Sequence, residues 1–209
     1  MDKGLKPFAE AIGELCNEWA HLEQWVGRTF LAVGGWDYRL PNASLMVSCI
    51  DIRDQIRAAR IGAINRCPPG AFLESVIECL DYVDNDLRNA RNRFVHDIWA
   101  SAEDGVGAIK ANLTPRAIKT PGSGHREVQP WQNQYVSVEE VREITFDVIN
   151  ERQYLSAIVD CFLHPEQPEL PAQLLERPLR LHLRRRMEKQ DQAGTSGSKR
   201  KRPPKSSPA

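Results

Sequence analysis

The stretch RNRFVH, residues 91–96, combines side chains that are suited to act on a phosphate group. The guanidinium of Arg91 stays charged at any physiological pH and can bind two phosphate oxygens, so it is a candidate for stabilising negative charge in a transition state. Histidine side chains ordinarily change charge between about pH 5 and 8, so His96 is a candidate general acid or base. Asn92 could orient one of these groups or hold the phosphate. These three residues form the candidate catalytic set.

Arg91 also interrupts the apolar pattern of the helix that is predicted to contain it, from about residue 71 to residue 100. At about 100° per residue, Arg91 falls near the middle of the apolar arc and His96 falls almost opposite. The arc contains Leu73, Val76, Ile77, Leu80, Val83, Leu87, Phe94, Val95 and Ile98. Local violations of this kind concentrate at functional or strained sites.

The spacing of the two residues limits how they could act together. Five residues of ideal helix separate Arg91 from His96 by about 140° and 7.5 Å of rise, so their side chains cannot project side by side. Either the helix is irregular or starts anew near Asn89, or Arg91 of one copy of the chain acts together with His96 of another.

The motif resembles the R-x4-6-H signature of the HEPN superfamily, in which the residue after the arginine is often Asn, Asp or His, as Asn92 is here. The resemblance covers roughly residues 5–163 in architecture, and residues 91–96 match in detail. This chain has Ile98 where some members carry a tyrosine two residues after the histidine.

The resemblance implies a metal-independent endoribonuclease that uses the 2′-hydroxyl of RNA as its nucleophile and needs no cofactor and no metal ion. It implies a homodimer in which two copies of the motif face each other across one cleft, in a toxin–antitoxin or phage-defence setting with an antitoxin or regulatory partner. A charged arginine can lie on the apolar face of the helix if that face borders such a cleft, because the cleft contains water and the anionic substrate.

Two alternatives stay open. A HEPN-like bundle without catalysis would serve as an RNA-binding or protein-interaction module. At the residue level, His96 could be an ordinary surface histidine, and Arg91 could form a semi-buried ion pair. The acids that could pair with Arg91 are Asp84, Asp51, Asp54 and Glu23.

The formal net charge of zero hides an acidic body and a basic tail. Residues 177–209 hold eleven Lys or Arg against two acids, whereas residues 1–176 hold 17 basic and 26 acidic side chains. We expect a basic arm over residues 166–191, helical in part, and a disordered tail over residues 192–209. The acidic body slightly favours the non-catalytic alternative. Candidate RNA-binding residues are Arg88, Arg93, Arg184, Arg185 and Arg186.

Four long helical patterns predict an all-α fold, an antiparallel bundle of four to five helices over residues 1–165. The first runs over residues 5–33 and ends at GGW, and the second follows PNAS, with Asn42 or Ser44 as its cap and a seam through residues 45–63. The third contains the motif. The fourth begins at Ser137, which has capping-box spacing to Glu140, and ends near residue 163. Residues 103–136 predict a short β-hairpin or irregular insertion.

Several function classes lack their signatures. The chain has no Gly-rich phosphate loop, no G-x-S-x-G and no H-E-x-x-H, and its five dispersed cysteines are expected to be reduced core thiols. No apolar run reaches the roughly 18 residues of a membrane span, and the first residues lack a signal-peptide core. We expect a cytoplasmic protein without a membrane partner.

Overall fold

The computed structural model describes residues 5–96, 98–101, 107–111, 117–119, 126–128, 134–165, 178–185 and 187. The helices within these residues are α1 Lys6–Val33, α2 Pro41–Ser48, α3 Ile52–Arg66, α4 Ala71–Tyr82, a π-helical turn Val83–Leu87, α5 Arg88–His96 and α6 Val138–Leu163. The strands are β1 Ile98–Ser101, β2 Gly107–Ala111, β3 Ala117–Lys119, β4 Arg126–Val128 and β5 Gln134–Ser137. The body is therefore the predicted helical bundle, with small sheets in the predicted insertion.

The two longest helices, α1 and α6, pack against each other along the centre of the bundle. The apolar residues of α1 recur alternately four and three apart, so they share one face, and that face forms the core. Its buried side chains include Phe8, Leu15, Trp19, Leu22 and Val26. The capping box of α6 is present, because Ser137 Oγ accepts from the Glu140 N–H and Glu140 accepts from the Ser137 N–H. The predicted bounds of both helices are confirmed.

The predicted second helix is wrong in its continuity, because it is divided into α2 and α3. Asp51 lies between them and accepts a hydrogen bond from the Arg53 N–H at 2.9 Å, which makes it the N-cap of a new helix. Helix α2 begins at Pro41 without a side-chain cap, so neither predicted cap is used. The break removes Leu45 from the predicted seam, and its side chain is exposed.

The predicted third helix is also corrected. It follows α4, the π-helical turn and α5, and it ends at His96, so that Ile98 lies on strand β1. Trp99 anchors the chain where it leaves the helix, because its Nε1 donates to the Phe94 carbonyl at 3.0 Å. Its ring also stacks on the Phe94 ring, with 5.7 Å between the centroids.

The insertion contains the predicted strand and its return strand. Strand β2 pairs antiparallel with β5, with Ile109 opposite Tyr135, and β1 adds to the other edge of β2 with Ala100 opposite Ile109. Strands β3 and β4 form a separate antiparallel pair. Strand β1 was not predicted, and much of residues 103–136 lies outside the described residues.

Residues 178–185, which we call the C-terminal strap, dock onto α4 and α6. The carboxylate of Asp147 accepts from the Leu181 N–H at 2.7 Å and the His182 N–H at 2.9 Å, and residues 181–185 form a helical turn. Arg180 bonds Glu151 at 2.6 Å. The remainder of the predicted arm, apart from residue 187, and the predicted tail over residues 192–209 lie outside the described residues.

Candidate functional site

Helix α5 carries the whole motif, and it is a regular α-helix from Arg88 to His96. The helical path is irregular at the π-helical turn Val83–Leu87, which ends one residue before α5 begins. Because this irregularity precedes the motif, it leaves the angle of about 140° between Arg91 and His96 unchanged. Within one chain, the two side chains therefore point in different directions.

Arg91 lies at the edge of the buried stripe rather than in its middle. Six of the buried side chains of this helical path are alternately four and three residues apart: Val76, Leu80, Val83, Leu87, Ala90 and Phe94. The other buried side chains, Ser75, Cys79 and Tyr82, lie on the side of this stripe away from Arg91. Three residues on the other side of the predicted arc, Leu73, Ile77 and Val95, are only half-buried. The core face is therefore turned away from Arg91, whose side chain is half-buried.

The guanidinium of Arg91 has one hydrogen bond and one aromatic neighbour. Its Nη1 donates to Asn92 Oδ1 at 3.0 Å, and its central carbon lies 5.9 Å from the centroid of the Trp19 ring on α1. Its Nε is buried, and none of the described residues accepts a hydrogen bond from it. Asn92 thus orients Arg91, which is one of the two roles predicted for it.

The acids that could have neutralised Arg91 are not within salt-bridge distance of it. Asp84 instead bonds Arg88 at 3.0 Å, and Glu23 accepts from the Trp19 indole N–H at 2.6 Å. Across the part of the chain that the structure describes, no carboxylate pairs with Arg91. The ion-pair interpretation of Arg91 is therefore wrong for these acids.

His96 lies exposed at the end of α5 and shares a helix face with other polar residues of the same helix. Arg93 is three residues before it and Asn89 is four residues before Arg93, so all three lie along one stripe of the helix. All three side chains are exposed. The arginine on the His96 side of α5 is therefore Arg93, whereas Arg91 faces α1.

A pocket of about 380 Å³ opens beside this stripe, between α5, β5, α6 and the C-terminal strap, and we call it the α5 pocket. Its floor is apolar and consists of Ala90, Phe94, Val136 and Ile144, which are all buried. Its rim is polar. The rim residues include Asn85, Asn89, Arg93, Tyr135, His182 and Arg185, together with the acids Asp86 and Glu140.

The predicted RNA-binding arginines have different positions. Arg93 and Arg185 both line the α5 pocket, although they are 92 positions apart in the chain. Arg185 also bonds Glu143 at 2.8 Å. Arg88 is half-buried and bonded to Asp84, Arg184 is exposed on the strap, and Arg186 lies outside the described side chains.

Sequence reasoning assigned five polar residues of the α5 pocket to no site: Asn85, Asp86, Asn89, Glu140 and His182. The two asparagines could have been found, because their spacing of four residues continues to Arg93 and marks one polar helix face. No local signal could have placed His182 there. Its position depends on the docking of the strap onto Asp147, 35 residues earlier in the chain.

Further observations bear on the class of site. Within the described ranges, no group of three or more His, Cys, Asp or Glu is arranged to hold a metal ion, and no helix is long and apolar enough to cross a membrane. The five cysteines are free, and Cys49 is exposed rather than a core thiol.

No family model matches the chain, and no curated protein or solved structure matches it either.

Proposed function

We propose that this protein is a metal-independent endoribonuclease with a HEPN-type motif, and that its active site forms between the α5 helices of two copies of the chain. The observation that carries the proposal is the state of Arg91. Its charge lies at the edge of the core without a carboxylate partner among the residues described. A partly buried charge is costly unless it is paired, so an anion from outside is a favourable counter-ion. A phosphate of RNA suits a guanidinium particularly well.

The chemistry uses groups of the protein and of RNA, together with water. The 2′-oxygen forms a bond to the adjacent phosphorus while the bond from phosphorus to the 5′-oxygen breaks, which leaves a 2′,3′-cyclic phosphate and a 5′-hydroxyl. His96 makes one of the two proton transfers, from the 2′-hydroxyl or to the departing 5′-oxygen, and water makes the other. Arg91 stabilises the charge that builds up on the phosphorane, and Asn92 holds Arg91 in place.

The helix geometry is the reason for a homodimer. Since about 140° of helix separates Arg91 from His96 in one chain, the proposal pairs Arg91 of one protomer with His96 of its partner. The same proposal includes a cytoplasmic toxin–antitoxin or phage-defence setting, in which an antitoxin or regulatory partner restrains the activity.

A second candidate function is favoured by one observation. The guanidinium of Arg91 lies against Trp19 and bonds Asn92, as a purely structural arginine could. In that case the protein is a non-catalytic RNA-binding or protein-interaction module. It would bind RNA or a protein partner and would not cut RNA.

Cleavage of labelled single-stranded RNA by the full chain in EDTA tests the proposal. We expect His96→Ala to lower the cleavage rate by about 10² to 10⁴, the contribution of a general acid or base. His21→Ala, at an exposed position on α1, is the matched control and should cleave as the wild type does. RNA with 2′-O-methyl groups at the cut site should resist cleavage. Cleavage that requires magnesium, or that survives His96→Ala, would contradict the mechanism.

Mixed protomers test the pairing across the dimer. A heterodimer of His96→Ala and Arg91→Ala chains retains one site with both residues intact. An equimolar mixture should therefore recover about a quarter of the wild-type rate, because half of the randomly formed dimers have one of two sites. Sedimentation should show about twice the 23.7 kDa mass of one chain. A strict monomer, or no recovered activity, would rule out the shared site.

A further inference from the structure

We infer that the α5 pocket binds one unpaired nucleobase of an RNA strand and so selects the nucleotide next to the cut. The inference rests on the proposed function for its choice of RNA as the substrate. Binding of the base does not depend on cleavage, because Arg91 and His96 are not among the residues that line the pocket, whereas selection of the nucleotide next to the cut does depend on it.

The size and floor of the pocket suit a flat ring. Its volume of about 380 Å³ lies at the lower end of the roughly 300 to 1,000 Å³ of small-molecule sites. The four floor residues are apolar, so where they border the pocket they favour the face of a ring over a charged group. A pocket for a long or strongly charged ligand would need a different floor.

The rim offers groups that read the edge and face of a base. Asn85 and Asn89 carry side-chain amides, which both donate and accept hydrogen bonds as base edges do. The side-chain amide N–H of Asn89 donates to the backbone carbonyl of Asn85. This bond fixes the orientation of the Asn89 amide and leaves the Asn89 Oδ1 directed elsewhere. The Tyr135 ring is 48% exposed on the same rim, and exposed aromatic rings are common stacking partners for bases in RNA-binding proteins.

The charges on the rim favour a base over a free anion. The lining holds two arginines, Arg93 and Arg185, and two acids, Asp86 and Glu140, so its formal charges are equal in number. A site for inorganic phosphate would have an excess of positive charge, whereas a balanced rim suits a neutral ring whose own phosphate lies outside it.

The position of the pocket connects base binding to the motif. Arg93 lies on the rim, and His96 follows it by one turn of α5, with about 4.5 Å of helix rise between them. A base held in the pocket therefore leaves its backbone phosphate next to His96. The residues around the pocket would then determine which nucleotide precedes or follows the cut.

Calorimetric titration of the full chain with AMP, GMP, CMP and UMP tests the inference, with inorganic phosphate as a competitor. We expect at least one mononucleotide to bind and an excess of phosphate not to displace it. Tyr135→Ala and Asn89→Ala should each weaken binding at least fivefold, the lower range for loss of one stacking or base-edge contact. Asn65→Ala, at an exposed position on α3, is the matched control and should bind as the wild type does.

Four results would overturn the inference. Three of them are that no mononucleotide binds at millimolar concentration, that phosphate displaces it fully, or that the two pocket variants bind as tightly as Asn65→Ala. The fourth is that a short single-stranded RNA does not compete with the mononucleotide, which would mean that the pocket takes a free nucleotide instead. The His96→Ala chain separates the two proposals, because it should keep mononucleotide binding while losing cleavage. Normal binding without any cleavage by the wild type would contradict the nuclease and leave the pocket standing.

Discussion

Two arginines of this protein lie between its helices, and their surroundings differ in one respect. Arg180 on the C-terminal strap bonds Glu151 at 2.6 Å and Glu78 at 2.8 Å, and it lies 4.3 Å above the centroid of the Tyr82 ring. Arg91 also lies near an aromatic ring, but its hydrogen-bond partner is the neutral amide of Asn92. Arg180 thus joins the strap to α4 and α6 through carboxylates, whereas Arg91 has no carboxylate partner among the described residues.

Four other arginines of the molecule are half-buried and form ion pairs. Each lies within salt-bridge distance of an acid on another turn or element: Arg60, Arg88, Arg152 and Arg185. Partial burial of an arginine is thus a poor guide to function in this molecule. The absence of an acid around Arg91, in the part of the chain described, is the more informative observation.

The largest expected effect is the loss of stability in Arg180→Ala. This change leaves the fully buried carboxylate of Glu151 without its partner, and breaking a buried ion pair in this way costs about 3 to 5 kcal/mol of unfolding free energy. Urea unfolding of the full chain measures it. Arg57→Ala, at an exposed position on α3, should change the unfolding free energy by less than about 0.5 kcal/mol. Equal effects of the two changes would mean that the strap contributes nothing to stability.

The penalty of Arg180→Ala should also depend on pH. Burial raises the pKa of Glu151, and the hydrogen bond and charge of Arg180 oppose this rise. Without Arg180 the pKa of folded Glu151 rises further, so the folded state holds the proton more tightly than the unfolded state. The variant therefore loses stability as pH rises above the ordinary glutamate pKa of about 4.3. We expect a larger penalty at pH 8 than at pH 5. In the Arg180→Ala background, Glu151→Gln should remove most of this difference between pH 5 and pH 8. A penalty that does not depend on pH would show that Glu151 is not the group that Arg180 keeps charged.

A smaller effect is expected for Tyr82→Phe. The Tyr82 hydroxyl donates to Asp147 Oδ2 at 2.7 Å, and the phenylalanine ring preserves the surface beneath Arg180. The loss should be about 1.5 to 3 kcal/mol, the contribution of a hydrogen bond to a charged group. Thermal or urea unfolding measures the loss. An unchanged unfolding free energy would show that the N–H groups of Leu181 and His182 are enough to stabilise the Asp147 carboxylate.

The smallest change in stability is expected for Arg91→Ala. No acid is left unpaired by this substitution, so the unfolding free energy should change by less than about 1 kcal/mol. RNA cleavage by the same variant should be lost. A destabilisation as large as that of Arg180→Ala would place Arg91 with the structural arginines and remove the basis of the proposed function.

The sequence predicted the parts of the fold that depend on neighbouring residues. Helices α1 and α6 follow from their apolar spacing and, for α6, from the capping box at Ser137. The break before α3 depends on whether the Asp51 side chain caps a new helix, and strand β1 depends on its pairing with β2. Neither choice is visible in the helical period alone.

In the candidate site too, features that depend on neighbouring residues were predicted, and features that depend on distant residues were not. The motif and the exposed position of His96 were visible in the sequence, as was the association of Arg91 with an apolar stripe. The edge position of Arg91 was missed because the prediction gave equal weight to every apolar residue, although Ile77 and Val95 are only half-buried. The α5 pocket was missed because it needs β5 and the C-terminal strap, which meet α5 only in the folded chain.

The strap also has a consequence for synthesis of the protein on the ribosome. When α6 first emerges, the buried acids Asp147 and Glu151 have no partners from the strap, because Arg180, Leu181 and His182 have yet to be translated. The nascent bundle must therefore stay open around α6, or keep these acids protonated or hydrated, until residues 178–185 have left the tunnel. A chain terminated before residue 178 would contain every residue of α1 to α6 and would still lack the groups that allow α6 to close. The partners of these two buried acids are thus made only after all the helices of the bundle.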